Sequence, residues 1–427
     1  MEPDEVRLLC AGDLHLGRHP TRVPADVERS TVSTAAAWAS IARTAVDHDV
    51  DGVLLSGDIG DRANRYFEIY GAFETGLSIL ADADIPVVAV AGNHDATFLA
   101  QLATEFDVLT LLGEDGSWER HELEAEVPVR VDGWSFPRTN VSTSPLTDYP
   151  DEPVDGPHLG LLHADLDAGG GTNAPVASAE LAGTGVDGWV LGHVHAPGNR
   201  RADRPFVLYP GSPQPLDPGE PGPHGPWLLT WNEAAGWTPA QLPTATLRYD
   251  TLAVDVADVE TPEAAFAAAS RTLSEHLAAI EGRDHVAAFV PRVTFTGRTT
   301  AHGELVAEAE AMADQFDRTI EGVRVGLDEI AVETRPAIDL DDRTDGPIGY
   351  LADVLAAIDR GTVREEYPDL YRTAGRRVES AYAASTYAPL RRADRQPTPA
   401  DQAVETHLER ETTRLLDELL AQKEAAR

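Results

Sequence analysis

Five short apolar runs of the sequence end in, or are followed by, side chains of the types that bind divalent metal ions. The runs cover residues 6–12, 52–57, 86–92, 159–164 and 188–193. The polar residues at their ends are Asp13, His15, Asp58, Asp61, Asn93, His94, Asp95, His163, His193 and His195. In an extended chain the first and third residues of Asp-x-His or His-x-His point to the same side. Each of these two pairs is therefore expected to converge on one ion or to straddle two.

The potential ligands are imidazole nitrogens and carboxylate or amide oxygens, and none of them is a thiolate. This donor set suits manganese, iron or zinc rather than a structural zinc site built from cysteines. Two cations that share one carboxylate lie about 4 Å apart, hold a phosphate oxygen between them and make hydroxide available near neutral pH. The expected reaction is hydrolysis of a phosphate ester by in-line attack.

Each piece of this pattern also has an ordinary structural explanation when it is taken alone. An isolated Asp-x-His is usually a turn or a helix cap, and an isolated His163 is more often a hydrogen-bonded interior histidine. His-x-His is a weak motif by itself. The five run ends carry such residues in succession, beside small glycines. This combination favours one shared metal site over five unrelated structural roles.

The apolar runs must belong to a layered sheet if their ends are to meet. Amphipathic stretches at residues 31–48 and 66–83 lie between the early runs, so strand patterns alternate with helix patterns. This alternation predicts an α/β fold. If the runs are strands of one sheet, their carboxyl ends line the crevice in which α/β sheets bind ligands.

The pattern of predicted strands and helices changes after residue 245. Before that point, residues 209–237 are rich in proline and glycine and hold three tryptophans, which predicts turns and a closing hairpin. After it, strand and helix patterns alternate as β-α-β-α-β, and a mostly helical region follows. The predicted organisation is an α/β domain at 1–245, a small α+β module at 246–334, a linker at 335–347 and a helical C-terminal region at 348–427.

The 427-residue chain carries 34 basic and 72 acidic residues, a formal net charge of −38. Such a charge is unusual for a protein that binds nucleic acid. The acids are spread along the whole sequence, which is typical of a protein adapted to high salt. The charge alone therefore does not exclude a DNA substrate. A single cysteine, Cys10, together with no signal-peptide pattern and no apolar run of transmembrane length, predicts a cytoplasmic protein.

The motifs DLH, GDxxD, GNHD, a single downstream histidine and GHVH, in this order, resemble the five motifs of the calcineurin-like metallophosphoesterases. YPGSPQPLDPGEPGPHG at 209–225 is similar to the segment that follows the last motif in DNA repair exonucleases of the SbcD and YhaO type. PRVTFTGRTTAHGEL at 291–305 resembles the YhaO-like branch. The motif resemblance covers about residues 1–230. It implies a four-layer α-β-β-α sandwich with a small α+β cap and a helical C-terminal segment.

The resemblance also implies a role for each motif residue. Seven side chains would bind two metal ions, with Asp58 bridging both. The terminal ligands of one ion would be Asp13, His15 and His195, and those of the other would be Asn93, His163 and His193.

His94 would not be a ligand but would face the scissile phosphate, where it stabilises charge or protonates the leaving oxygen. Asp61 or Asp95 would orient His94 by a hydrogen bond, and the sequence does not choose between them. The candidates for phosphate contact near the expected crevice are Arg18, Arg62 and Arg65, with an ion pair to a neighbouring acid as the alternative for Arg62.

The motifs define the reaction class, whereas the substrate depends on the wider resemblance. Nuclease subunits of this branch carry a small cap and a C-terminal segment that docks on an SMC-like coiled-coil ATPase of the SbcC or YhaN type. The expected partners are therefore DNA and such an ATPase, with a homodimer as a further option. In the last helix one face suits docking on a coiled coil or on the protein's own core, and it carries Val404, Leu408, Leu415 and Leu419.

A further segment, at 360–395, holds eight arginines against five acids. It suits contact with phosphates or with an acidic partner, and a solvated helix surface explains it as well.

The predicted function is a divalent-metal-dependent DNA phosphodiesterase, an exonuclease or endonuclease of the double-strand-break repair type, that acts with an SMC-like ATPase. One alternative is a metallophosphoesterase that acts on a smaller phosphate ester or on a phosphoprotein. The other is a scaffold subunit of the ATPase complex whose metal site is vestigial. The complete set of ligand residues argues against the scaffold.

Overall fold

The computed structural model describes residues 5–60, 66–96, 98–150, 155–257, 259–337, 346–383 and 401–425. Outside these described residues lie the predicted site residues Asp61, Arg62 and Arg65, and the arginines Arg391, Arg392 and Arg395. The chain divides into two compact units. The first consists of Met1–Leu252, Ser270–Val293 and Glu310–Ile330, and the second of Ala253–Ala269, Thr294–Ala309 and Ala331–Arg427.

Within the described part of the chain, no helix is both long and apolar enough to cross a membrane.

The first sheet has six strands and contains the first three predicted apolar runs. In chain order its strands are β1 (Glu5–Ala11), β2 (Gly52–Leu55), β3 (Val87–Ala89), β4 (Leu109–Leu111), β11 (Trp227–Asn232) and β12 (Gly236–Gln241). Strands β1 to β4 pair in parallel. The hairpin of β11 and β12 closes the edge beside β1 in antiparallel pairing. The parallel strands are buried on both faces, which explains their nearly continuous apolar sequence.

The second sheet holds the other two predicted runs. Its strands are β5 (Glu119–Leu123), β6 (Val129–Trp134), β7 (His158–His163), β8 (Gly188–Gly192), β9 (Gly198–Arg201) and β10 (Phe206–Tyr209). They lie in the order β5-β6-β7-β8-β10-β9. The five runs are thus divided between two sheets and do not all lie in one. An apolar run specifies burial on both faces but does not specify which strand lies beside it.

Alternation along β1 shows how the layers pack. Leu9 and Ala11 face a core shared with helices, whereas Leu8 and Cys10 face a core shared with the second sheet. The helices over the first sheet are α1 (Thr34–Asp47), α2 (Tyr66–Asp82) and α3 (Leu99–Ala103). Among the described residues, the five-residue helix α4 (Ser178–Ala182) packs with loop residues on the outer face of the second sheet. This outer layer is therefore built mainly from loops.

The region after residue 245 contains more strands than the sequence pattern predicted. Its strands are β13 (Leu247–Arg248), β14 (Thr251–Asp255), β15 (Ala288–Phe289), β16 (Arg292–Thr296), β17 (Arg298–Thr299), β18 (Asp317–Ile320), β19 (Val323–Gly326), β20 (Ile330–Val332) and β21 (Arg335–Pro336). Its helices are α5 (Pro262–Ala279) and α6 (His302–Gln315). The strands form three sheets, in the orders β13-β15-β19-β18, β14-β16-β20 and β17-β21.

The apolar stretches at 289–297 and 323–333, which supply two of the strand patterns in the β-α-β-α-β alternation, each form two strands. Pro291 lies at the first break, between β15 and β16, and it has no N–H to donate to a strand ladder. The chain passes there from one sheet to another. Part of the predicted linker is also ordered, because Arg335–Pro336 forms β21 beside β17.

The C-terminal region is helical among its described residues. Its helices are α7 (Pro347–Asp359), α8 (Val363–Glu366), α9 (Pro368–Ala383) and α10 (Asp401–Ala425). In α10, Val404 and Leu408 are buried in a cluster with residues of α7 and α9. Leu416 is also buried, whereas Leu415 is 42% exposed. The first two residues of the predicted apolar face therefore pack on the protein's own helices, and Leu415 does not share their burial.

Candidate metal centre

The loops that follow β1 and β2 are joined by their backbones. The Asp13 N–H donates to the Gly57 carbonyl at 2.9 Å, and the His15 N–H donates to the Asp58 carbonyl at 3.0 Å. The Asp13 carboxylate in turn accepts from the His193 N–H, at 3.0 and 3.2 Å to its two oxygens. The loop after β8 is thereby joined to the first sheet. These bonds bring the ends of strands from both sheets to one place.

Two groups of ligand-type side chains meet there. In one, potential ligand atoms of Asp13, His15 and His195 all lie within 4.8 Å of one another. The His15 Nε2 and His195 Nε2 atoms are 3.0 Å apart. Two imidazole nitrogens aimed at the same point need a proton or a cation between them, since two lone pairs repel. This geometry fits one metal ion.

The second group consists of Asp13, Asp58 and His163, again with ligand atoms within 4.8 Å. The His163 Nε2 atom lies 3.4 Å from Asp58 Oδ2 and 3.1 Å from Asn93 Oδ1. The same Asp58 Oδ2 is 3.9 Å from His15 Nε2. Asp58 therefore lies between a histidine of the first group and a histidine of the second, which is the position that a bridging carboxylate needs.

His193 is placed less directly than the other predicted ligands. Its ring centroid lies 5.5 Å from that of His163, and its Nε2 atom is 3.3 Å from the Asn173 Nδ2 atom. Neither of the two groups contains it. The structure thus brings His193 to the rim of the cluster, and its role as a ligand stays a prediction.

The far nitrogens of two histidines are fixed by hydrogen bonds. His163 Nδ1 lies 3.0 Å from the Ser56 carbonyl oxygen, and His195 Nδ1 lies 2.6 Å from Glu220 Oε1. Because both oxygens accept, each Nδ1 carries the proton and each Nε2 is left free to bind a cation. Glu220 was missed in the sequence. The only signal for it was the proline-rich segment at 209–225, which suggested a family but no role.

The backbone is strained where these ligands sit. Among non-glycine residues, Asp13, His15, Asp58 and His193 have φ angles of 50°, 44°, 51° and 97°. Such angles are unfavourable for side chains with a Cβ atom and cluster at functional sites. Gly92 permits a further close approach, because a Cβ there would lie 2.1 Å from Asp58 Oδ1. The predicted ligands therefore occupy these positions although the backbone conformation there is unfavourable for them.

The electrostatics of the cluster show buried charge. Burial raises the pKa of Asp13 to about 6, and nearby Asp58 acts in the same direction. Burial also lowers the pKa of His15 well below its usual range, with His195 adding to the effect. A divalent cation would reverse the shift of Asp13, because it stabilises the carboxylate, and would reinforce the shift of His15, because it binds the neutral imidazole. The donor set, its burial and its charge therefore fit a pair of metal ions.

His94 and Asp95 follow Asn93 in the loop after β3. The His94 N–H donates to Asp58 Oδ1 at 3.0 Å, and its ring packs edge-on against the His15 ring with 5.3 Å between centroids. Both Asp95 oxygens accept from backbone N–H groups, those of Gly92 at 2.6 Å and Ile59 at 2.5 Å. Asp95 therefore ties the loops after β2 and β3 together, and its predicted bond to His94 stays a prediction.

Arg18 lies three residues after His15 and is half-buried. Its N–H donates to the His15 carbonyl at 3.0 Å, which keeps it in the loop that carries the first ligands. It is the one member of the predicted phosphate-contact set that falls within the described residues.

Comparison with known proteins adds two family matches. Residues 6–197 match the calcineurin-like phosphoesterases, and residues 249–335 match the middle domain of metallophosphoesterase YhaO. The uncharacterized metallophosphoesterase YhaO of Bacillus subtilis (strain 168) is 26% identical over 237 residues, 53% of this chain and 57% of that protein.

The DNA double-strand break repair protein Mre11 of Haloferax volcanii is 30% identical over 239 residues, 52% of this chain and 48% of that protein. Mre11 of Halobacterium salinarum is 27% identical over 237 residues, 54% of this chain and 57% of that protein. The chain thus aligns with about half the length of each of these relatives.

The first family match spans every predicted metal ligand, from Asp13 to His195. The second covers the region in which the sequence predicted a capping domain. Together with the buried clusters of aspartate and histidine, these matches identify residues 6–197 as a calcineurin-like metallophosphoesterase domain, similar to YhaO and Mre11.

Proposed function

We propose that this chain is a divalent-metal-dependent DNA phosphodiesterase that acts as an exonuclease or endonuclease in double-strand-break repair. The observation that carries the proposal is the pair of overlapping buried groups, Asp13 with His15 and His195, and Asp13 with Asp58 and His163. The DNA substrate is supported by relatives named as DNA double-strand break repair proteins, which align with about half of this chain.

The seven motif side chains would hold two ions, most suitably manganese, with iron, zinc or magnesium as alternatives. One ion would be held by Asp13, His15 and His195, the other by Asn93, His163 and His193, and Asp58 would bridge them. When bound, such a pair supplies Lewis-acid activation of a phosphodiester and of an attacking water. The Nδ1 bonds of His163 and His195 support this assignment, since they leave each Nε2 available.

His94 would serve the leaving group. Its backbone is bonded to the central carboxylate of Asp58, and its side chain is half-buried beside His15. An imidazole there can donate a proton to the departing oxygen near neutral pH. Asp61 and Asp95 remain the proposed residues that orient it, and Arg18, Arg62 and Arg65 remain the proposed phosphate contacts.

The remaining regions would provide substrate and partner contacts. We propose a four-layer catalytic domain at 1–245 and a capping domain at 246–334, supported by the matches at 6–197 and 249–335. A linker at 335–347 would lead to the helical region at 348–427. The partner would be an SMC-like coiled-coil ATPase, and the exposed Leu415 of α10 is where the last helix could meet it. A reducing, cytoplasmic setting suits the buried free thiol of Cys10.

The test is hydrolysis by the purified full-length chain with Mn²⁺, on linear double-stranded DNA and on bis-p-nitrophenyl phosphate in parallel. We expect both substrates to be cleaved, and the Asp58→Ala variant to cleave neither. Hydrolysis of the small diester without DNA cleavage, even with the ATPase added, would favour an enzyme for smaller esters. A chain that binds the ATPase but holds no Mn²⁺ would favour the scaffold.

A further inference from the structure

The proline- and glycine-rich loop at residues 209–225 closes over His195. The Ser212 N–H donates to the His195 carbonyl oxygen at 3.0 Å. Gly211 makes this approach possible: its φ is 74°, and a Cβ there would lie 2.4 Å from the same carbonyl oxygen. The loop is therefore fixed to the backbone of His195.

Glu220 brings this loop to the His195 side chain. Its Oε2 atom accepts from the Leu216 N–H at 2.8 Å and from the Ser212 hydroxyl at 3.1 Å. Its Oε1 atom is left for His195 Nδ1, at 2.6 Å. The Glu220 side chain is only 12% exposed. The carboxylate is thus held by its own loop and presents one oxygen to the histidine.

His224 supports the same loop from the protein interior. It is buried, with Nδ1 2.6 Å from the Ser212 carbonyl oxygen and Nε2 3.1 Å from the Glu220 carbonyl oxygen. The loop is therefore braced on both sides of Glu220, and the carboxylate has little freedom to leave His195.

We propose that Glu220 is a positioning residue of the metal centre: it holds His195 in the tautomer that has its proton on Nδ1, so that the unprotonated Nε2 faces His15 and Asp13. The inference rests on the proposed function, because it assigns a metal to His195. A histidine ring without such a partner can rotate or exchange tautomers. The free energy needed to order the ring then weakens metal binding. Outer carboxylates of this kind usually change metal affinity by about 10- to 100-fold.

Glu220→Gln is the sharpest test because it keeps the size of the side chain. The oxygen of the amide would remain on the Leu216 N–H and the Ser212 hydroxyl, since an amide NH₂ cannot accept from them. The NH₂ group would then face His195 Nδ1 and force the opposite tautomer, with the proton on Nε2. We expect an unchanged melting temperature and Mn²⁺ binding about 10- to 100-fold weaker by calorimetric titration.

Two matched controls separate this role from loop order. Asp217→Ala changes an exposed acid of the same loop, whose carboxylate accepts from the Gly219 N–H at 2.7 Å. Ser212→Ala removes a loop bond to Glu220 Oε2 but leaves the Oε1 contact with His195. We expect Asp217→Ala to bind Mn²⁺ as the wild type does. We expect Ser212→Ala to bind Mn²⁺ more tightly than Glu220→Gln, because the Oε1 contact with His195 remains. Weakening in Ser212→Ala equal to that in Glu220→Gln would show that loop order alone explains the effect and would overturn the proposal.

A double-mutant comparison tests whether Glu220 acts through His195. In the His195→Ala background, Glu220→Gln should cause no further loss of Mn²⁺ affinity, and an equal further loss would contradict the proposal. Histidine ¹⁵N spectra of the metal-free protein should show the His195 proton on Nδ1 in the wild type and on Nε2 in Glu220→Gln. Unchanged Mn²⁺ affinity in folded Glu220→Gln would overturn the inference alone, whereas a wild type that binds no Mn²⁺ would overturn the proposed function.

Discussion

The chemistry of this protein depends on a few charged side chains that are almost completely buried. Asp13, Asp58 and His163 are 1%, 2% and 0% exposed. Burying like-charged carboxylates is costly unless a counter-charge is present. A pair of divalent cations would supply that counter-charge. Replacing different residues of the cluster is therefore expected to have different effects on metal binding and turnover.

The first prediction separates a ligand from a proton donor. His94→Ala should retain both metal ions but lose roughly 100- to 10,000-fold in turnover, the usual contribution of a general acid. Asp58→Ala should lose metal as well as activity, because its carboxylate lies between His15 and His163. Metal content measured by mass spectrometry, together with hydrolysis of linear DNA, distinguishes the two. Wild-type nuclease activity in either variant would refute the proposed roles.

The second prediction concerns pH. Burial alone would lower the pKa of His163, but Asp58 and Asp13 raise it above its usual value. A metal ion binds only the unprotonated ring, so protons compete with it from a higher pH than for an ordinary histidine. Mn²⁺ affinity should therefore rise with pH, by about tenfold per unit for each proton displaced. Calorimetry in buffers of different ionisation enthalpy measures this release, and an affinity independent of pH would contradict the assignment.

At the scale of elements, the site is formed by loops that two sheets hold in place. The sequence indicated where the strands end, because apolar runs stop at polar residues such as Asp13 and Asn93. It could not indicate that β7 and β8 lie in a second sheet, since pairing depends on contacts far apart in the chain. Glu220 was invisible for the same reason: its partner His195 lies 25 residues away and is reached only through the folded loop.

The second sheet contains a buried ionic network that the sequence did not reveal. Asp132 of β6 accepts from Arg120 of β5 at 2.7 and 3.0 Å, and from the Tyr149 hydroxyl at 2.7 Å. His158 Nε2 of β7 lies 2.9 Å from the same carboxylate. Asp132 thus connects three neighbouring strands of the sheet through one side chain.

The third prediction is that Asp132→Asn lowers the free energy of unfolding by about 2 kcal/mol, because the buried side chain loses the charge that strengthens its hydrogen bonds from Arg120, His158 and Tyr149. Burial alone would raise the pKa of Asp132, but hydrogen bonds from His158, Arg120 and Tyr149 lower it far below its usual value. The stabilisation should therefore be complete above about pH 4, the unfolded value, and should be lost as the pH falls through the folded value.

Urea unfolding at neutral and acidic pH measures this effect. The matched control is Glu122→Gln on β5, whose carboxylate is 54% exposed and pairs with Arg130 at 3.2 Å. A surface pair of this kind contributes little, so the control should unfold like the wild type. If Asp132→Asn and the control had equal free energies of unfolding, the proposed stabilising role of the network would be contradicted.

At the scale of the whole molecule, the dominant property is a net charge of −38. Self-repulsion of so many acids opposes the compact state, and salt screens it. The charge also disfavours DNA at low ionic strength, which is why a proposed DNA enzyme of this composition needs either high salt or local positive groups.

The fourth prediction is that the melting temperature rises as KCl increases from about 0.1 M to about 1 M, since the Debye length falls from about 10 Å to about 3 Å. Differential scanning calorimetry of the metal-free chain measures it, with sorbitol at matched osmolality as the control for excluded-solute effects. A melting temperature that is flat or falls over this range would contradict adaptation to high salt.

The most direct test of the whole account is anomalous diffraction from crystals of the chain soaked in Mn²⁺. We predict two manganese peaks, with Asp58 between them, Asp13, His15 and His195 around one, and Asn93, His163 and His193 around the other. A single peak elsewhere in the molecule, or these seven side chains turned away from any bound ion, would contradict the account.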